Sequence, residues 1–294
     1  MTITLKKGGA VASIDPKGAQ LTSYFDGVRE HIWQADPAFW GKSFPILFPI
    51  VGFLKDNKTI YDSQEVTIPK HGFARDSAFS ILDRKEDSAV FVLTENEETL
   101  VHFPRRFCLT VRYTLEEHGL VIAYTVENRD SRPMHYCFGL HPAINCPALP
   151  GEDFEDYRVE FDRPETIDSP QINAGTGVME LTQRTLYCQE EQALPLTYGM
   201  FDNDALTLEE LHSTSVRLVG PSDTGTALAF SGFTSLGLWT PDHKRAPFLC
   251  IEPWVGMNDR SDEDGVFEHK YGVRTLSPAE KDQYSLTISP VNEK

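Results

Sequence analysis

Short runs in which apolar and polar residues alternate recur along the whole chain, and turn-forming residues separate them. A period of two is typical of a strand that buries one face. The pattern predicts strands at positions 11–14, 21–24, 89–93, 109–113, 120–126, 215–218, 227–230, 236–240 and 284–288. Clusters of Asp, Gly, Asn and Pro lie between them, where backbone turns are expected.

Sustained helical periodicity is scarce, and only two brief segments, 36–40 and 95–101, have the pattern of a short helix. Many strands without long helices favour antiparallel sheets that pack face to face. We therefore predict an all-β fold, a large antiparallel β-sandwich with a few short helices. The irregular stretches 148–156 and 164–177 are expected to be loops within a single domain over residues 1–294, because no Gly/Ser-rich linker divides the chain.

The composition is that of a globular protein, with 40% hydrophobic, 11% aromatic and 24% charged residues. The formal net charge is -17, from 44 acidic and 27 basic side chains. Such a surface repels phosphate backbones and anionic lipid headgroups, which argues against nucleic-acid and membrane partners. The first residues lack the apolar stretch of a signal peptide, and no run of about 18 apolar residues occurs, so a cytoplasmic location is expected.

Five cysteines are spread widely and include no CxxC pair. An odd number with this spacing is not typical of a disulfide framework or of a structural zinc site. We expect buried free thiols and no metal.

Three segments place a titratable residue among glycine, proline and aromatic residues: PKHGFARD at 69–76, FGLHP at 138–142 and CIEPWVG at 250–256. Backbone turns in such segments often aim side chains into a pocket. A single histidine beside glycine is more often structural than catalytic, which applies to both His71 and His141. Glu252 follows the apolar run 248–251, so it is expected to be partly buried and either paired or functional.

These segments, together with FPILFPIVG at 44–52, NDAL at 203–206 and LSPAE at 276–280, resemble the aldose 1-epimerase (galactose mutarotase) superfamily, in particular its branch with HGFAR and EPW motifs. The resemblance spans nearly the whole chain. It implies a supersandwich of antiparallel sheets with a sugar cleft on its concave face. It also implies an isomerase that interconverts the α and β anomers of a hexose, with a monosaccharide as partner and no metal or organic cofactor.

The resemblance assigns catalysis to Glu252, His141 and His71, and sugar binding to Arg75 and Asp204. The Arg75 guanidinium offers a rigid fork of donors for sugar hydroxyls or for a phosphate, although a structural pair with Asp76 is an equal alternative. For Asp204 the alternative is a turn formed by the Asn-Asp pair.

Phe53 departs from the family pattern, since many relatives carry a basic residue directly after the glycine of the FPIVG segment. The change removes one possible polar contact. Phe53 and Trp254 could each pack in the core or form a stacking surface for the apolar face of a sugar ring, and both are kept as candidates for substrate binding.

Anomer exchange needs removal of the C1 hydroxyl proton and protonation of the ring oxygen. Glu252 in its ionised form is suited to the first step and a protonated His141 to the second, while His71 would hold the ring oxygen. Nearby carboxylates would favour protonated His141, and hydrogen bonds would keep Glu252 charged.

Three other functions compete. A hexose-6-phosphate 1-epimerase would need a cationic corner for the phosphate, to which Arg75 could contribute; the adjacent basic pairs Arg105-Arg106 and Lys244-Arg245 are more typical of solvated surface. A non-catalytic carbohydrate-binding protein could share the fold. A glycoside hydrolase usually uses two carboxylates across the scissile bond, whereas the resemblance supplies one carboxylate with histidines. Which sugar is preferred stays open.

Overall fold

The structure, a computed structural model, describes residues 1–292, so two positions of the expected domain, 293 and 294, lie outside the described residues. The first eleven strands of the described chain are β1 (Ile3–Lys7), β2 (Ala10–Asp15), β3 (Gln20–Phe25), β4 (Ile46–Leu47), β5 (Lys58–Tyr61), β6 (Gln64–Thr67), β7 (Ser80–Arg84), β8 (Ser88–Thr94), β9 (Phe107–Glu116), β10 (Gly119–Asn128) and β11 (Met134–Tyr136). The following eleven are β12 (Phe138–Leu140), β13 (Ala143–Asn145), β14 (Arg158–Ile172), β15 (Met179–Pro195), β16 (Leu206–Leu208), β17 (Ser215–Val219), β18 (Gly225–Ser231), β19 (Ser235–Trp239), β20 (Phe248–Val255), β21 (Arg274–Leu276) and β22 (Lys281–Val291).

Helices are short connectors. One α-helix, α1 (Glu97–His102), and five single-turn 3-10 helices occur among the described residues, at Lys55–Asn57, Ala74–Asp76, Phe154–Asp156, Tyr198–Phe201 and Phe267–His269. None of the helices in residues 1–292 has the length and apolar character to cross a membrane.

Two large antiparallel sheets dominate the architecture. One has nine strands in the order β15-β14-β17-β18-β22-β10-β9-β8-β7, and the other has the order β16-β19-β20-β12-β4 with β13 also paired to β20. A three-stranded sheet, β1-β2-β3, and the two-stranded pairs β5-β6 and β11-β21 complete the fold. The prediction of an all-β antiparallel sandwich is confirmed.

The main hydrophobic core is formed by residues from both large sheets. Strand β10 illustrates the principle: Ile122, Tyr124 and Val126 are buried, while Ala123 between them is exposed. The nine-stranded sheet therefore gives one face to the core, and the opposing sheet contributes residues such as Ile251 to the same cluster. This is the alternation that the sequence pattern predicts for packed sheets.

Every strand predicted from the alternation coincides with an observed strand, with Thr240 one residue beyond the end of β19. The predicted helix at 95–101 is also present as α1, shifted slightly along the chain. It begins after Asn96, whose side chain accepts a hydrogen bond from the Thr99 backbone N–H, while the Thr99 hydroxyl accepts one from the Asn96 backbone N–H. This reciprocal cap fixes where the helix starts.

The predicted helix at 36–40 does not form, and the segment is a turn. The carboxylate of Asp36 accepts the backbone N–H of Ala38 at 2.9 Å and its carbonyl accepts that of Trp40 at 3.0 Å, so one turn forms that the chain does not continue. After this turn the chain leaves the helical path, and the Trp40 ring packs on His141.

The predicted loop at 164–177 is also wrong, because most of it belongs to β14 and only residues 173–177 form the turn to β15. Strand β17 pairs with β14 only as far as Phe161. Beyond Phe161, β14 forms a strand ladder only with β15 among the described strands, and the register between these two strands shifts several times. Such irregular edge pairing tolerates prolines, here Pro164 and Pro170.

Candidate active site

Strand β20 carries the candidate glutamate and is buried on both faces. Leu249, Ile251 and Val255 belong to the main core, whereas the even-numbered residues point to the opposite face of the sheet. Glu252 and Trp254 therefore lie side by side on that opposite face, with 1% and 4% exposure. The strand is placed between β19 and β12, so its backbone is hydrogen-bonded along both edges.

Two glycines on the neighbouring strands make room for the Trp254 indole. Gly237 on β19 faces Glu252 across the ladder, and Gly139 on β12 faces Trp254. A Cβ atom at Gly237 would lie 2.3 Å from the indole, and one at Gly139 would lie 2.7 Å from it. Side chains at these positions would collide with the ring, so glycine is required by close packing.

His141 follows β12 directly, and its backbone N–H donates to the Pro45 carbonyl at 3.0 Å. Its ring stacks on Trp40 with centroids 4.8 Å apart and meets the edge of Trp239 at 5.6 Å. These contacts fix the imidazole orientation with apolar surfaces and leave it only 7% exposed.

His71 lies where the HGF and FPIVG segments pair. His71 and Gly72 both have positive φ, +64° and +70°, and a Cβ at Gly72 would lie 2.1 Å from the Phe48 carbonyl oxygen. The Gly52 backbone N–H donates to Nδ1 of His71 at 3.0 Å, and the His71 N–H donates back to the Gly52 carbonyl at 2.8 Å. Because Nδ1 is an acceptor, the neutral ring carries its proton on Nε2.

A cleft of about 290 Å³ brings most of the predicted residues together, near the lower end of the roughly 300–1,000 Å³ usual for small-molecule pockets. Six of the seven candidates line it: His71, Arg75, His141, Asp204, Glu252 and Trp254. The seventh, Phe53, does not line the cleft, but its ring lies beneath the ammonium of Lys70, which does.

The sequence prediction missed six other lining residues: Trp40, Lys70, Ile172, Ala205, Trp239 and Asn258. Lys70 directly precedes His71 in the quoted motif, and Ala205 directly follows Asp204, so adjacency could have suggested both. Trp40 and Trp239 had no such signal, since a tryptophan in an apolar run equally predicts core packing.

Within the cleft, His141 Nε2 and Glu252 Oε1 are 3.3 Å apart. The other polar atom of each group, Nδ1 of His141 and Oε2 of Glu252, is buried without a hydrogen-bond partner in residues 1–292. Buried polar atoms are almost always satisfied in folded proteins. Trp254 Nε1 in the same cleft is likewise without a partner among the described residues, so these atoms indicate a place where a polar ligand completes the hydrogen bonding.

Burial lowers the pKa of His141 from 6.5 to about 3. The positive charges of Lys70, Arg75 and Lys42 act in the same direction, since they disfavour an imidazolium. The prediction that nearby carboxylates keep His141 protonated is therefore wrong for the free cleft, because burial and these cations outweigh the Glu252 carboxyl 3.3 Å away. His71 shows the same trend, with burial as the main cause of a pKa well below its usual value.

Burial raises the pKa of Glu252 well above its usual value of 4.5. Lys70 opposes this rise and Asp204 adds to it. The prediction that hydrogen bonds keep this carboxylate charged is also wrong, because burial raises its pKa more than the Trp254 side chain and the Lys70 charge lower it. In the free cleft both shifts favour the neutral forms, a carboxyl that keeps its proton on Glu252 beside a neutral imidazole on His141.

Arg75 and Asp204 each make the structural contact that was the alternative to sugar binding, and each also lines the cleft. Arg75 Nε lies 3.4 Å from Asp76 Oδ2, so the structural pair exists while the same side chain lines the cleft. Asp204 has a φ of +77° and accepts the Ala205 N–H at 2.9 Å, so it forms a turn and faces the cleft as well.

Within the described part of the chain, one group of three side chains has metal-ligating atoms close together: the atoms of His141, Cys250 and Glu252 lie within 4.8 Å of one another. Burial raises the pKa of the Cys250 thiol well above its usual range, so this cysteine is neutral. All five cysteines are free thiols; four are buried as predicted, and Cys188 is half-buried.

The sequence of this chain is similar to those of a known protein family and of a curated protein. The aldose 1-epimerase family matches residues 1–261. The plasmid-encoded protein LacX of Lactococcus lactis subsp. lactis is 37% identical over 298 aligned residues, which cover 98% of this chain and 99% of that protein.

Two solved structures are also similar. A galactose mutarotase related enzyme from Lactobacillus acidophilus has a TM-score of 0.93 at 29% identity, with 100% of this chain and 98% of that chain covered. A galactose mutarotase-like protein from Lactobacillus casei ATCC 334 has a TM-score of 0.90 at 30% identity, with 99% and 100% covered.

The raised pKa of Glu252 makes a prediction about stability. The unfolded chain ionises this carboxyl above about pH 4.5, whereas the folded chain retains the proton, so wild-type stability falls as pH rises from there through the folded pKa. Glu252→Gln removes this effect and should have the higher unfolding midpoint at pH 7, with the gap shrinking toward pH 4. Each 1 kcal/mol corresponds to roughly 2–4 °C in a chain of this size.

Thermal unfolding followed by circular dichroism at pH 4, 5.5, 7 and 8 checks this expectation. Glu117→Gln is the matched control, because Glu117 is exposed and lies outside the cleft. A wild type more stable than Glu252→Gln at pH 7 would contradict the raised pKa.

Proposed function

The chain belongs to the aldose 1-epimerase family, and from that premise we propose that it is a hexose 1-epimerase that interconverts α and β anomers by acid/base ring opening and closure. The catalytic residues in this proposal are Glu252, His141 and His71. The proposal treats residues 1–294 as one domain, because a single main core joins the large sheets.

The observation that carries the proposal is the pair of His141 and Glu252, 3.3 Å apart and buried in a cleft of sugar-binding size. Each has a polar atom without a protein partner. A hydroxyl group of a sugar both donates and accepts, so one sugar could satisfy both atoms. Three tryptophans, Trp40, Trp239 and Trp254, line the same cleft and offer apolar surface to a sugar ring.

The charge states needed for the reaction arise from the proton that the pair already holds. A C1 hydroxyl that donates to Glu252 and a ring oxygen that accepts from His141 both favour the ionised pair, so sugar binding moves the proton from carboxyl to imidazole. Glu252 then removes the C1 hydroxyl proton and His141 protonates the ring oxygen, which opens the ring. Rotation about C1–C2 and the reverse transfers close it on the other face. No proton is exchanged with solvent in the net reaction.

The other candidates hold the sugar. His71 presents Nε2–H, since its Nδ1 is occupied by Gly52, and can donate to the ring oxygen. Asp204 accepts from sugar hydroxyls and Arg75 donates to them. Trp254 supplies a stacking surface.

A phosphorylated hexose is a second candidate substrate, favoured by the cations Lys70 and Arg75 at the cleft. The two basic pairs noted in the sequence do not contribute, because neither Arg105-Arg106 nor Lys244-Arg245 lines the cleft. Arg105 is in fact buried and paired with Asp62, contrary to the expectation of a solvated surface. Activity on free hexoses and on their 6-phosphates distinguishes the two substrates.

Glu252→Gln and His141→Asn should each lower kcat by about a hundred-fold or more, because each removes one partner of the proton exchange. Sugar binding should largely persist. Stopped-flow polarimetry of freshly dissolved α-glucose and α-galactose, corrected for the spontaneous rate, measures turnover, and tryptophan fluorescence measures binding. Glu117→Gln serves as the control. Near wild-type turnover in Glu252→Gln would remove Glu252 from the mechanism and favour a non-catalytic binding protein.

The pH profile of kcat/KM reports the free enzyme, so both of its limbs should reflect the buried pair of Glu252 and His141. On the acid side activity should fall near pH 3, where His141 takes a second proton and the base is lost. On the alkaline side it should fall as Glu252 loses the proton of the pair, because no acid then remains. An acid limb centred near 4.5, the ordinary value for glutamate, would contradict this assignment.

Activity should survive exhaustive dialysis against EDTA and alkylation of accessible thiols, since the proposed chemistry uses neither a metal nor a cysteine nucleophile. The proximity of His141, Cys250 and Glu252 makes this measurement informative. Loss of turnover that one defined metal restores would overturn the metal-free mechanism.

A further inference from the structure

The ammonium group of Lys70 is held over an aromatic ring instead of beside a carboxylate. Its Nζ lies 4.2 Å from the centroid of the Phe53 ring, and the side chain lines the cleft. Among residues 1–292, no carboxylate oxygen lies within 4.0 Å of this Nζ, whereas Lys42 and Arg75 both reach Asp76. Lys70 therefore keeps its donors available at the cleft.

Phe53 is a fixed support for this cation. Its carbonyl accepts the Asp259 N–H at 2.8 Å, and the Asp259 carboxylate accepts the Lys55 N–H at 2.8 Å. The ring packs on the turn between β14 and β15 at Gly177, where a Cβ would lie 2.4 Å from it and where φ is +72°. Only glycine fits that contact, so the turn and the ring hold each other in place.

We propose that Lys70, seated on Phe53, is a specificity-determining residue whose ammonium donates to an oxygen of the bound sugar; this inference rests on the proposed function. A partly buried ammonium with an aromatic support and no acceptor has three donors to offer a ligand. Phe53 thus acts through Lys70 and not as a stacking surface. The polar contact that the sequence predicted to be lost at Phe53 is supplied by a neighbouring lysine.

The charge of Lys70 also acts on the acid/base pair. The groups that face this pair are the cations Lys70, Arg75 and Lys42, the carboxyl of Asp204, the His71 ring and the Cys250 thiol. Lys70 lowers the pKa of both Glu252 and His141. Removing its charge should therefore raise both pKa values and move both limbs of the kcat/KM profile to higher pH, which a purely structural role would not do.

Lys70→Met tests the proposal, because methionine keeps an unbranched apolar chain without the charge. A hydrogen bond to a charged group is worth enough that KM and the sugar Kd should rise on the order of ten- to a hundredfold, and kcat should change less. Kd comes from tryptophan fluorescence, since three tryptophans line the cleft, and KM and the pH profile come from polarimetry. Lys70→Arg should recover part of the affinity.

A variant of Phe53 distinguishes the role of the Lys70 charge from that of the aromatic ring beneath it, and a variant of Lys55 is the control. Phe53→Leu keeps the lysine but removes its aromatic seat, so it should weaken binding in the same direction by a smaller factor. Lys55→Met is the matched control, because its exposed side chain is not part of the cleft. Glucose, galactose and their 6-phosphates are the probes; a larger loss for the phosphates would place the phosphate on Lys70, and an equal loss would place a hydroxyl there.

A Lys70→Met protein with Kd and KM within twofold of wild type and an unmoved pH profile would overturn the inference. Its failure is distinguishable from failure of the proposed function. If the wild type binds sugar without turning it over, the epimerase proposal fails while the fluorescence Kd still decides the role of Lys70. If the wild type shows neither turnover by polarimetry nor a sugar-dependent fluorescence change, both are overturned.

Discussion

The burial of Glu252 on a strand with two covered faces is the constraint on which the cleft depends. Strand β20 gives one face to the main core and the other to the cleft, and β19 and β12 pair with its two edges. A carboxyl in such a place cannot relax toward water, so it keeps its proton unless a charged or polar partner stabilises the anion. The positions of His141 and the glycines beside Trp254 follow from the same packing.

The surroundings of the pair differ in charge from the protein as a whole. The chain carries a net charge of -17, yet the cleft presents Lys70 and Arg75 and holds two neutral histidines. The pairing of two motifs produces this arrangement. The backbone N–H of His71 donates to the Gly52 carbonyl, which holds the HGF segment against FPIVG. Lys70 and Arg75, which lie before and after this segment, thereby reach the cleft. Local backbone geometry and long-range packing therefore act together to place the cations.

Comparison of particular elements shows where sequence reasoning succeeds. Strands with clean alternation, such as β10, were predicted because one face is buried and one is exposed. The long hairpin β14-β15 was partly missed because prolines and register shifts disguise its alternation. The segment at 36–40 has the cap and the first turn of a helix, but its hydrogen bonding stops at Trp40.

The sequence by itself determined the fold class, the family resemblance and six residues that line the cleft, because period-two patterns and Gly- and Pro-framed motifs are local properties of the chain. Only the tertiary structure decided the charge states of Glu252 and His141, the contributions of Trp40 and Trp239, and the seat of Lys70 on Phe53. These depend on burial and on distances between segments far apart in sequence. A pKa is set by the three-dimensional surroundings of a group, which no local pattern specifies.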